Sequence, residues 1–346
     1  MMEQHQEPRE GEIREKKERM LEKKFYGCLL GGALGDAAGY PSEGRTYETV
    51  QGSRKSDVFY QPTWSGRLNE LIPAGRVTDG TILAMVLGES LARRGRVDLH
   101  DQAVEMYRAF RTSGQGRGWG QATVQALHNI RTGLPLDKCG VVGAAGNGTA
   151  ERAAPLGLWH VHGTLEDIVK DAALIAPLTH RDPRAVVGMA LQAEAVRYLA
   201  NCDSRTFDVK LFFQHIKESA VRLEQRFGIV NTFVPAITVA GNCLDVGLPE
   251  VFDHLEPGEY VRDTFSFSLW VFGRHPTDIR AAVLEAANAG GDADSTALMA
   301  ANMGGALVGV NQIPSELFMG LEKVEQIRKI AQDLYSAVQH RQNEKK

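Results

Sequence analysis

Gly290-Gly291-Asp292-Ala293-Asp294-Ser295-Thr296 runs directly into ALMAANMGGALVG, residues 297–309. The paired glycines permit a backbone path that other residues resist. Small and apolar residues then continue without a break. A segment this rich in glycine makes a poor isolated helix, and a good one only where it is buried and other backbones approach closely. The acids at its start have two readings. Asp and Ser cap helices, and carboxylates favour the positive end of the helix dipole. One cap needs one side chain, however, whereas Asp292 and Asp294 offer two carboxylates with Ser295 adjacent. Oxygen donors converging from a turn suit a hard divalent cation such as Mg2+ or Mn2+. No His or Cys stands near enough to favour zinc.

Working outward, Thr78-Asp79-Gly80-Thr81 repeats the pattern before ILAMVLGESLARRG, with basic residues and a glycine at the far end. Thr78 or Asp79 suits a helix start, and Arg93, Arg94 and Gly95 suit its end. FYGCLLGGALGDAAG, residues 25–39, is a second small-residue helix that needs close neighbours. Asp36 lies within it, exposed, capping, or paired with a charge or ion. Glu43 follows in a proline-containing loop, where it is a surface acid or a group that orients water or takes a proton. Gly146-Asn147-Gly148-Thr149-Ala150-Glu151-Arg152 is either an ordinary Asn-Gly turn or a loop whose N–H groups and Arg152 meet an anion. Thr179-His180-Arg181-Asp182-Pro183 sets His180 and an arginine beside a helix start.

Further helices are expected at 99–111, 119–132, 165–179, 183–199, 208–227, 234–241, 260–272, 277–289 and 314–339, with Asp98, Thr164, Asp182 and Ser295 as caps. Alternating strand patterns are nearly absent, so the fold class is all-α. Residues 40–77 show little periodicity and read as a long surface excursion. With no linker or repeat, residues 24–339 form one domain. Residues 1–23 are a charged extension and 340–346 a polar tail.

The chain has 346 residues and a net charge of -4. That argues against a general grip on nucleic acid or anionic membrane. Cys28, Cys139, Cys202 and Cys243 are dispersed and read as reduced thiols. No signal peptide or membrane span is legible, so the expected location is cytoplasmic.

Taken in order, GCLLGGALGDAAGYPSE, VTDGT, GNGTAERAAPLGL, LTHRDP, GGDADSTALMAANMGGALVG and IPSEL resemble the motif set of the ADP-ribosylglycohydrolase family. The resemblance spans roughly residues 25–317. It implies a compact helical domain with a central cleft holding two divalent cations, Mg2+ or Mn2+. Carried across, it makes Thr78, Asp79, Asp292, Asp294 and Ser295 metal ligands, and Glu43 and Asp292 catalytic. It makes the loop of residues 146–148 substrate-facing, and Asp36, Asn147, Gly148, Thr149, Arg152 and His180 are the candidate substrate-binding residues. The implied reaction is hydrolysis of an N- or O-glycosidic bond to the ribose of ADP-ribose, on a protein or small molecule. Gly80 departs from the family, which has a second aspartate there. Either water or a displaced acid substitutes, or one cation binds weakly, or only one is held. The alternatives are a weak or inactive ADP-ribose-binding homologue, a hydrolase of a smaller ribosyl compound, and a helical interaction protein without enzymatic activity.

Overall fold

The computed structural model describes residues 10–55, 57–65, 69–112 and 117–344. Residues 1–9 of the expected charged extension and 345–346 of the expected polar tail lie outside that description. Helix α1 (Glu10–Gly39) is continuous through the charged segment and the small-residue segment. There follow α2 (Tyr47–Ser53), α3 (Asp79–Arg94), α4 (Leu99–Thr112) and α5 (Gln121–Arg131). Next come the short α6 (Gly148–Glu151) and α7 (Ala154–Trp159), then α8 (Leu165–Ile175), α9 (Pro183–Asn201) and α10 (Val209–Phe227). The last five are α11 (Phe233–Asn242), α12 (Val261–Arg274), α13 (Ile279–Ala289), α14 (Ala293–Val308) and α15 (Val324–Glu344). Two small sheets complete the described fold. Thr63–Ser65 pairs antiparallel with Glu70–Ile72, and Val141–Val142 pairs parallel with His180–Arg181.

All of α14 is buried. It packs most extensively on α1, and also on α13, α12 and α9. The reason is a seam of small residues at helical spacing. A Cβ added to Gly39, Gly35 or Gly31 of α1 would lie 2.3, 2.2 and 2.5 Å from the carbonyl oxygens of Ala293, Ala297 and Ala301 of α14. At the other end a Cβ on Gly305 would lie 2.0 Å from Gly27 O. The two helices therefore run antiparallel, backbone against backbone. Glycine's helix penalty, about 1 kcal/mol per residue, is offset by contacts that no larger residue permits. The seam sets the start of α14 beside the end of α1.

The caps of α4, α8 and α9 follow the sequence reading. Asp98 accepts from Asp101 N–H at 2.9 Å, Asp182 accepts from Arg184 N–H at 2.8 Å, and Thr164 and Asp167 form a capping box. Ser295 does not cap, because α14 begins two residues earlier, at Ala293. Nor is 314–339 one helix. Residues Ser315–Phe318 form a 3-10 turn, and the chain bends through Gly320 (φ +85°) and Lys323 (φ +67°) before α15 begins. The excursion at 40–77 is not structureless either. It holds α2 and a hairpin, and Arg54 pins it by donating to Ala38 O and Val58 O at 3.1 and 3.2 Å, and to Asn288 Oδ1 at 3.1 Å. That pin carries Glu43 toward the start of α14.

Candidate active site

Three separate stretches converge on the start of α14. Gly290 and Gly291 have φ of +75° and +64°, the left-handed region where a side chain is strained. They allow Gly291 to pair with the Glu43 loop: Gly44 N–H donates to Gly291 O at 2.9 Å and Gly291 N–H to Arg45 O at 2.8 Å. Carboxylate oxygens of Glu43, Asp292 and Asp294 lie within 4.8 Å of one another. The third stretch is the Gly146–Arg152 loop, fixed where Asn147 N–H donates to Glu259 O at 3.1 Å. The Asn147 amide donates to Asp292 Oδ2 and, at 2.9 Å, to Thr264 Oγ1. Asn147 therefore aims Asp292.

At the start of α3, Asp79 is buried, with Gly120 N–H donating to its Oδ2 at 3.3 Å. Thr78 does not cap that helix with its own side chain. Asp36, reaching from α1, accepts from Thr78 N–H at 2.9 Å, from Thr78 Oγ1 at 2.7 Å and from Thr81 N–H at 3.2 Å. Those bonds commit the Asp36 carboxylate to protein partners. Asp36 is fully buried and ties α3 to α1, while the Thr78 hydroxyl, its proton committed to Asp36, keeps its lone pairs.

Other expected substrate contacts also bond to protein groups. Thr149 is fully buried and donates to Ala185 O at 2.8 Å. Arg152 is buried too. It donates to Gly148 O at 3.0 Å and to Thr179 Oγ1 at 2.6 Å, which braces the loop. Burial lowers its pKa to about 10, against the charges of Glu151 and Asp79. His180 is buried against Thr179 Oγ1 at 2.8 Å, and burial followed by the Arg152 charge lowers it to about 3, so it is neutral. Gly148 remains partly exposed.

The sequence reading missed one acid. Glu151 is buried, and Ser295 Oγ donates to its Oε1 at 2.6 Å. Its Oε2 faces Gly80, 3.1 Å from the point a Cβ there would occupy. The signal was an acid, next to Arg152, in the otherwise small and apolar run TAERAAPLGLW.

Electrostatics decides what this arrangement needs. Burial first, and then the neighbouring carboxylates, hold Glu43, Asp79, Glu151 and Asp294 well above the usual carboxylate range. Burial also raises Asp36 and Asp292. Two ionised carboxylates at such spacing repel by about 3 kcal/mol at an effective dielectric of 20. The cluster must therefore take up protons or a cation. Glu43 Oε2 is inaccessible and accepts no hydrogen bond, so a cation or its water suits it as a partner. An all-oxygen donor set of high negative charge fits Mg2+ or Mn2+.

The sequence profile of the ADP-ribosylglycohydrolase family matches residues 17–344. The chain belongs to the ADP-ribosylglycohydrolase family. It is 27% identical over 318 residues to the ADP-ribosylarginine hydrolase Tri1 of Serratia proteamaculans, covering 90% of this chain and 79% of that protein. It is 26% identical to the ADP-ribosyl-[dinitrogen reductase] glycohydrolase of Rhodospirillum rubrum, covering 87% and 92%. A solved structure, an ADP-ribosylglycohydrolase-related protein complex, superposes with a TM-score of 0.70 at 26% identity, over 92% of this chain and 99% of that one. The helical fold is thus that of the ADP-ribosylglycohydrolases, and membership of that family makes the chain a hydrolase. No helix among the described residues is long and apolar enough to cross a membrane.

Proposed function

We propose that this glycohydrolase cleaves the N- or O-glycosidic bond between the ribose of ADP-ribose and a protein side chain or small molecule, with Mg2+ or Mn2+ as cofactor and in the cytoplasm. The observation that carries the proposal is the meeting of Glu43, Asp292 and Asp294 from stretches some 250 residues apart, in a chain of this family. Asp79, Asp292, Asp294 and the hydroxyls of Thr78 and Ser295 would hold the metal. Both hydroxyls have their protons committed elsewhere, to Asp36 and to Glu151, which leaves lone pairs to offer. A bound divalent cation supplies polarisation of water and anchoring of ribose hydroxyls.

The chain's own groups do the rest. Glu43, at the edge of the cluster and half-buried, orients the attacking water and takes its proton. Asn147 holds Asp292 in place. The bond breaks through an oxocarbenium-like transition state, which the surrounding negative charge favours.

The experiment is a substrate panel of ADP-ribosyl-arginine, ADP-ribosyl-serine, O-acetyl-ADP-ribose and free nucleosides, with release read by chromatography. The proposal expects ADP-ribose from at least one ADP-ribosyl substrate, turnover abolished by chelation and its return on adding Mg2+ or Mn2+. Turnover of nucleosides alone, or release indifferent to chelator, overturns it.

A further inference from the structure

The resemblance puts an aspartate where this chain has Gly80, and the structure sets another carboxylate, that of Glu151, beside that position. A Cβ built on Gly80 would lie 2.8 Å from Leu298 Cδ1 and 3.1 Å from Glu151 Oε2. The Glu151 carboxylate therefore stands beside the point where the side chain of an aspartate at position 80 would begin. Its burial next to other acids has no apolar rationale, since an ionisable group in such surroundings needs a partner. Ser295 Oγ binds its Oε1, which fixes the carboxylate plane and leaves Oε2 toward Gly80. Glu151 also interacts electrostatically with Asp79 and Asp292, one acid from each of the two helix starts.

We propose that Glu151 supplies the carboxylate that Gly80 lacks, entering the metal site from α6 in place of α3. This inference rests on the metal-dependent reading above and deepens it. Two consequences follow from the geometry. The pocket keeps its count of negative charges, so the loss at position 80 does not by itself weaken cation binding. An aspartate at 80 would also crowd Glu151, whose Oε2 at 3.1 Å must give by a few tenths of an ångström, and would displace Leu298 Cδ1, which lies 2.8 Å from the new Cβ.

The test is calorimetric titration of the full chain with Mn2+, with folding of each variant checked by circular dichroism. Glu151→Gln keeps the volume and the Ser295 contact but removes the charge. Its affinity should fall by about tenfold or more, or one of two binding events should vanish. Gly80→Asp alone should not strengthen binding, because the new side chain meets Glu151. Gly80→Asp combined with Glu151→Ala should recover affinity to within a few-fold of the wild type. Asp294→Asn separates the two claims. If it abolishes binding while Glu151→Gln binds like the wild type, Glu151 is not part of the site and this inference falls alone. If Asp294→Asn also binds like the wild type, the metal reading itself falls. Should Glu151→Gln not fold, Glu151→Asp replaces it. The shorter side chain should weaken Mn2+ binding, and undiminished affinity overturns the inference.

Discussion

Replacing Gly35 with alanine puts one methyl group between α1 and α14. The added carbon would lie 2.2 Å from the carbonyl oxygen of Ala297 and 2.4 Å from its carbon. Ordinary contact needs about 3.5 Å, so the helices must part by about 1 Å along a seam that has no flexible side chain to yield. Overpacking of this kind costs about 1–3 kcal/mol. The rigid backbone on the other side argues for the upper end. Alanine's better helix propensity returns about 1 kcal/mol, leaving a net loss of about 2 kcal/mol. For a chain of this length, at about 2 cal/mol/K of unfolding entropy per residue, that lowers Tm by about 3 °C. The same seam positions the start of α14, so Mn2+ affinity should fall with it. Scanning calorimetry and a Mn2+ titration read both effects. Gly52→Ala is the control. A Cβ there meets nothing within 4 Å, so stability should hold or rise by up to about 1 kcal/mol. A Gly35→Ala protein as stable as the wild type, with unchanged Mn2+ affinity, would refute the claim that this seam sets the site.

Glu43→Gln should lower kcat by about 10²-fold in a single-turnover assay, with Tm unchanged or raised because a buried repulsion is removed; a kcat within threefold of the wild type contradicts the role given to Glu43. The metal-free protein should also lose stability as pH rises. Five buried acids and the half-buried Glu43 have folded-state pKa values above the ordinary value, so above about pH 4 these groups hold fewer protons in the unfolded chain than in the folded one, and stability declines through the raised values. With chelator, Tm should be higher at pH 5 than at pH 7.5, and saturating Mn2+ should remove most of that decline. A chelated protein that gains on the Mn2+-loaded one as pH rises has the wrong sign.

Much of this was legible in the sequence, for physical reasons. The glycines of residues 27–39 and the Ala/Gly run of 293–305 could only be buried helices, and they are the two sides of one seam. The acids flanking them had to lie near each other once the helices paired. Caps at Asp98, Thr164 and Asp182 were readable because a cap is a local interaction. The roles of Asp36, Thr149 and Arg152 were not, since whether a polar group faces a cleft or a neighbouring helix depends on tertiary packing. Asp36 caps α3 from another helix, and Arg152 braces Thr179 across 27 residues. Glu151 escaped notice because its partner Ser295 lies 144 residues away. The break at Gly320–Lys323 interrupts a stretch whose composition alone suits a helix throughout.

The central claim is that carboxylates from distant parts of the chain close around a hard cation. A crystal of the full chain soaked in Mn2+ and measured at a wavelength with anomalous signal from manganese tests it most directly. The account predicts an anomalous peak among Glu43, Asp79, Asp292 and Asp294. Millimolar Mn2+ that leaves this position without a peak, with the four carboxylates bonded only to protein and water, would contradict it.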